Sequence, residues 1–153
     1  MQKNSDVDPI LGRALVGRIG MSLNGQPYVV PVNFLYSEGK IYFHSASKGQ
    51  MYEYMKANPQ VCFEVDEVGK TVPNADPCKF SFTYKSVIAF GKVNFIQDSA
   101  EKIAVLTKLV EKYDTEKMVK EDVTVDKLGE VAVGEISIER MTGKSNPAAQ
   151  TSG

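Results

Sequence analysis

The chain carries one histidine, His44, inside the run Tyr42-Phe43-His44-Ser45-Ala46-Ser47-Lys48-Gly49. A lone imidazole can pass a proton, ligate one metal or haem iron, or simply fill a structural role. It cannot build a multi-histidine metal centre within one chain, and a Ser/His/Asp hydrolase would have to use it or nothing. The same run offers a second chemistry. Ser47-Lys48-Gly49-Gln50 has the S-x-x-Q form of a capping box, and a helix N-terminus presents unpaired N–H groups and a positive dipole end to phosphate. A hydroxyl from Ser45 and a cation from Lys48 would add to that attraction, while an ordinary helix cap accounts for the same residues.

Other spacings carry less. The glycines of Val16-Gly17-Arg18-Ile19-Gly20 imitate a phosphate loop, but they lie inside a strand pattern with no helix after them and read as accommodating curvature. Glu64, Asp66 and Glu67 fall where a strand gives way to a polar loop, the usual setting of a solvated edge rather than of a hydrolase's paired carboxylates. Cys62 and Cys78 have neither CxxC nor zinc-site spacing, so no metal site is expected and a reducing compartment fits.

The elements that must position these residues are mostly strands. Leu15 to Leu23 alternates with period two, with Leu15, Gly17, Ile19, Met21 and Leu23 on one face, and Asn24-Gly25 supplies a hairpin turn. Tyr28, Val30, Val32, Phe34 and Tyr36 give the next strand its apolar face, Ser37-Glu38-Gly39 turns the chain, and Lys40 to Ala46 completes a three-stranded meander. Pro31 inside the second strand predicts an edge, a bulge or a break that frees backbone groups for a ligand. A short helix carries Met51, Tyr54 and Met55 until Asn58-Pro59, and Val61, Phe63 and Val65 begin a fourth strand. Residues 67–79 read as a long loop, and Phe80 to Ile96 as one long strand bent at Gly91. Asp98 caps a helix with its apolar stripe at Ile103, Leu106, Leu109 and Val110; residues 113–127 are charged and in part helical; Val131 to Met141 is strand again. The economical architecture is mostly β with peripheral helices, a small antiparallel barrel of about six strands.

A length of 153 residues suits one domain, with its core over about residues 10–144 and polar tails at 1–8 and 146–153. The 18 basic and 19 acidic side chains nearly cancel, which disfavours nucleic acid as a partner. Neither an apolar leader nor a bilayer-length apolar run is present, so the expected location is cytoplasmic with no membrane partner.

Four segments in order carry a resemblance: Gly25-Gln26-Pro27-Tyr28-Val29-Val30-Pro31-Val32-Asn33-Phe34; Ile41-Tyr42-Phe43-His44-Ser45-Ala46; Asn58-Pro59-Gln60-Val61-Cys62-Phe63-Glu64-Val65-Asp66; and Tyr84-Lys85-Ser86-Val87-Ile88-Ala89-Phe90-Gly91-Lys92. Together, over roughly Ile10 to Lys144, they resemble the FMN-binding split barrels related to pyridoxamine 5′-phosphate oxidase, in the branch of the 5-nitroimidazole-resistance proteins. The resemblance implies a six-stranded antiparallel split β-barrel and a homodimer with FMN sites at the subunit interface. It implies that the backbone around Pro31, Val32, Asn33 and Phe34 lines the isoalloxazine ring. His44, Ser45 and Ala46 would flank the flavin, with Lys48, Gly49, Gln50 and Met51 at its phosphate, while Tyr84, Ser86, Val87 and Lys144 complete the site, the first three of these from the partner. Two departures stand out. Members often carry a lysine two residues after the glycine of the helix start, where this chain has Met51, and the C-terminal segment of pyridoxamine phosphate oxidases that bears Arg, His and Trp is missing. The specific oxidation of pyridoxamine phosphate is therefore disfavoured.

The implied activity is an FMN-dependent reduction of a small nitro or quinone-like acceptor, with NAD(P)H a candidate electron donor and His44 a candidate hydrogen-bonding or proton-supplying residue. A flavin or haem carrier on the same barrel, with His44 as the only histidine available to iron, is the first rival; a plain structural or interaction domain is the second.

Overall fold

A computed structural model describes residues 7–147. Its backbone is one sheet of seven antiparallel strands with four helices around it, so the strand count exceeds the six expected. β1 (Gly17–Leu23) and β2 (Gln26–Val32) form a hairpin, as do β3 (Leu35–Ser37) and β4 (Lys40–Ala46). Both turns are those the sequence points to. Asn24 and Gly25 have φ of 51° and 78°, Glu38 and Gly39 have 51° and 77°, the left-handed pair a tight hairpin needs. After α2 (Gln50–Ala57) come the long β5 (Gln60–Val72) and β6 (Ser81–Phe95), then α3 (Ser99–Tyr113), the single-turn α4 (Val125–Leu128) and β7 (Val131–Asn146).

The sheet order is β2-β1-β5-β6-β7-β4-β3, which overturns the three-stranded meander. The strand expected over Tyr28 to Tyr36 is two strands at opposite edges of the sheet, parted at Asn33 and Phe34. Since three Cα steps span at most about 11 Å, the sheet must curl until its two edges nearly meet. No ladder joins β2 to β3, so the curled sheet stays open along a seam. Pro31 sits opposite Arg18 on the edge strand, where its missing donor is tolerated, and the break follows it rather than coinciding with it.

Three other expectations need correction. Val7 to Arg13 forms a helix, α1, where the sequence suggests no element, with Ile10 and Leu11 in the core, and β7 runs past the expected end at Met141 to Asn146. β5 continues to Val72, pairing Thr71 with Phe82 and Val72 with Ser81 past an irregularity after Val68, so the long loop shrinks to residues 73–80. Most side chains from Asp66 to Val72 are solvent-exposed, which erases the alternation that marks a half-buried strand. Finally, α2 starts two residues later than a Ser47 cap would have it. Gly49 is the N-cap, at φ 109°, and the Ser47 N–H is spent on the carbonyl of Glu130.

The core lies inside the curl. Phe34, Phe43 and Phe63 are fully buried, with Phe34 and Phe63 meeting edge to face at 4.8 Å. Gly91 marks the bend as expected, for the β6–β7 register slips between Phe90 and Gly91 and a Cβ there would meet the Ser137 carbonyl oxygen at 2.1 Å. α3 is capped as expected, the Asp98 carboxylate accepting from the Glu101 N–H at 2.9 Å, and it lays Val105 and Leu109 against the β4–β7 side of the sheet.

Candidate functional site

Alternation along β4 buries Ile41 and Phe43 and turns His44 outward. Asn33, exposed at the seam, and His44 line the same cavity of about 820 Å³. Leu106, Leu109, Val110 and Tyr113 of α3 form the apolar wall, and the segment after α3 closes the rim with Met118, Val119 and Lys120. That segment is tied by the Asp114 carboxylate, which accepts from the N–H groups of Met118 and Val119 at 2.9 and 2.8 Å. The helix expected within 113–127 is reduced to the four residues of α4.

The seam itself is held from α3. The Phe34 N–H donates to the Tyr113 hydroxyl at 2.9 Å, and that hydroxyl donates to the Leu15 carbonyl at 2.8 Å. The Lys112 ammonium donates to the Phe34 carbonyl at 2.8 Å and lies 3.9 Å from the centroid of the Phe34 ring. Burial pushes the Lys112 pKa down and the Tyr113 pKa up, the latter shift opposed by the Phe34 backbone. The backbone groups that the strand break sets loose at Phe34 are thus taken within the chain and are not free for a ligand. Lys112 and Tyr113 went unnoticed as site residues. The signal was there, because Tyr113 continues the stripe of Leu106, Leu109 and Val110 at helical spacing.

Further along, Ser45 and Ala46 pair with Ala132 and Val131 of β7, and the Ser45 hydroxyl donates to the Ala46 carbonyl at 2.9 Å. No side chain caps the first-turn amides of α2. Lys48 and Glu130 form an ion pair at 3.4 Å with both side chains about three-quarters exposed. Gln50 is exposed, whereas Met51 is half-buried against the core. Pro31 is exposed and Val32 partly buried on the edge strand.

Tyr84, Ser86 and Lys144 lie apart from this cavity. Ser86 is registered with Lys144 across β6 and β7, and the Lys144 ammonium lies 6.0 Å from the centroid of the Tyr84 ring. The Val87 side chain points into the core and is 1% exposed. Within one chain, then, Asn33 and His44 come together at the cavity, Ser45 to Met51 follow in sequence without lining it, and the β6–β7 residues form a separate group. Among the described residues, no set of three or more His, Cys, Asp or Glu side chains is placed to hold a metal ion, and no helix is long and apolar enough to cross a membrane.

The sequence profile of pyridoxamine 5′-phosphate oxidase matches residues 3–145. No curated protein matches the chain. Among solved structures, a candidate 5-nitroimidazole antibiotic resistance protein from Bacteroides thetaiotaomicron superposes with a TM-score of 0.77 at 27% identity, over 94% of this chain and 84% of that one. A FAD-binding protein from Mesorhizobium loti gives 0.68 at 26% identity, over 95% and 96%. The FAD and haem binding protein of Mycobacterium smegmatis gives 0.86 at 17% identity, over 99% and 76%, a likeness of fold alone.

Proposed function

Since the chain belongs to the pyridoxamine 5′-phosphate oxidase family, we propose that it is a flavin-dependent oxidoreductase, a cytoplasmic homodimer that holds FMN in the cavity lined by Asn33 and His44. The observation that carries this reading is the make-up of that cavity. Its volume of about 820 Å³ lies in the range of small-molecule sites, and apolar side chains of α3 together with an amide, an imidazole and charged groups from the segment after α3 suit a flat ring with polar edges. The seam beside it would be the split of a split barrel. The Mesorhizobium loti neighbour, itself a FAD-binding protein, supports a flavin and makes FAD the competing form.

Bound there, the flavin supplies electron transfer. The chain binds, orients and shields. The uncapped amides at the start of α2 would receive the phosphate, joined by the Ser45 hydroxyl and by Lys48, whose solvent-exposed pairing with Glu130 costs little to give up. With Met51 packed on the core, Lys48 is the cation nearest that turn in sequence. Pro31, Val32 and Asn33 would border the ring, with Phe34 fixed behind them by Tyr113 and Lys112. Tyr84, Ser86 and Lys144 would reach a site from the partner subunit. His44 would hydrogen-bond a small nitro or quinone-like acceptor and supply a proton to it.

The visible spectrum of the purified protein, with and without added FMN or FAD, tests the proposal. Flavin bands that bleach with NAD(P)H and recover on adding a nitroimidazole or quinone are the expected result. Bound flavin without turnover would leave a carrier, a Soret band would make the protein a haem binder, and a colourless protein that ignores both flavins would end the proposal.

A further inference from the structure

Met118 and Val119 are apolar, 71% and 50% exposed, and part of neither core cluster. A solvated Met or Val needs no explanation by itself. These two, however, stand side by side on the rim of the cavity that Asn33 and His44 line, and their backbone is fixed there. The Asp114 carboxylate spends both oxygens on their N–H groups, Oδ1 at 2.9 Å and Oδ2 at 2.8 Å. Lys117, just before them, is held at φ 54°, a conformation that a residue with a Cβ enters only at a cost. The Lys120 ammonium turns back to the Lys117 carbonyl at 2.8 Å, and Lys127 of α4 pairs with Glu121. A segment outside any helix or strand is thus tied along its length, and the residues it holds at the cavity include an apolar pair with no core behind it. The same ties sort the rim's charges. Asp114, Lys120, Glu121 and Lys127 are all engaged by these bonds. Asp122 lines the cavity too and, among the described residues, has no hydrogen-bond or ion-pair partner.

We infer that Met118 and Val119 seat the apolar body of the electron acceptor and that Asp122 selects its charge, so that the rim takes an uncharged aromatic ring and turns away an anion. Because Asp114 fixes the backbone of the pair in advance, a flat ring can exchange water for contact there with little further ordering. The unpaired carboxylate on the same rim repels a carboxylate, sulfonate or phosphate on the acceptor. It acts through solvent, so the repulsion is modest and falls as salt rises. Asp114 is a positioning residue in this scheme, acting through the two peptides it holds. The inference rests on the flavin-dependent reading of the cavity and adds which residues choose the acceptor.

Methyl 4-nitrobenzoate and 4-nitrobenzoate, one ring with and without an anionic charge, test it on protein saturated with FMN. Calorimetric binding without NAD(P)H comes first, then KM and kcat with it. In that turnover NAD(P)H gives up a hydride and solvent a proton; the nitro group loses one oxygen as water and is left as nitroso. The double change M118S/V119S should weaken binding of the ester about fivefold or more and raise its KM in proportion, with a smaller effect on kcat. Asp114→Ala should act in the same direction, and Met118→Leu, which keeps the apolar contact, should bind as the native chain does. Asp122→Lys should narrow the preference for ester over carboxylate about fivefold at low salt, an effect that shrinks as salt rises. Native affinity in M118S/V119S would overturn the seat, and an unchanged ester-to-carboxylate ratio in Asp122→Lys would overturn the charge selection. Binding with these preferences but no turnover would uphold the rim and end the oxidoreductase reading. A protein that binds neither FMN nor the ester would end both.

Discussion

His44 is the sharpest chemical choice in the chain, because the alternation of β4 leaves its neighbours Ile41 and Phe43 no course but the core. If it serves the acceptor rather than the flavin, His44→Ala should keep flavin affinity within about threefold and lower turnover about a hundredfold or more, the range of general-acid effects. Unchanged turnover would remove the imidazole from the chemistry. Tyr113 acts at one remove, through the Phe34 peptide. Tyr113→Phe strips a hydroxyl from a partly buried N–H and should cost about 1–2 kcal/mol in urea unfolding; an unaltered midpoint would show that the seam does not need it. Arg13 and Glu67, paired at 2.5 and 2.8 Å, supply the pH dependence. Hydrogen bonding to Arg13 holds the Glu67 carboxyl below its ordinary pKa, so its contribution is present above the unfolded value and lost as pH falls through the folded one. Stability should therefore decline more steeply below about pH 4.5 in the native chain than in Arg13→Ala, and parallel pH profiles would contradict the pairing.

Strand and helix existence could be read from the residues wherever one face is buried and the other wet. The two glycine-bearing hairpin turns, the Asp98 cap and the bend at Gly91 all have local causes, and all stand where those causes put them. Gly91→Ala should cost about 1–3 kcal/mol, because the new methyl must displace a backbone carbonyl rather than a flexible side chain; a variant of native stability would show that the bulge relaxes freely. What escaped was non-local. Nothing in Tyr28 to Tyr36 tells that its halves join different edges, since both halves show the same apolar alternation and the partner strands are chosen by the whole curl. The Ser47 box failed for a similar reason, its N–H being claimed by Glu130 more than eighty residues later. The site was half legible. His44 and Asn33 were named from sequence, but most of the lining comes from α3 and the irregular segment after it, which have no short-range tie to either.

For the whole molecule, the proposed sharing of a flavin by two chains would make cofactor retention depend on protein concentration. Diluting the flavin-loaded protein through its dimer dissociation range should release flavin in step with monomer, seen as a rise in free-flavin fluorescence; tight binding by the monomer would confine the site to one chain. The seam has its own bearing on motion. At Phe34 the sheet's two margins are joined by chain but not by ladder, and the amide there is guarded by a phenol on a helix. Its exchange with deuterium therefore clocks how often α3 lifts from the curl, separately from the fraying of any strand. That one amide would report the breathing of the cavity wall that α3 provides.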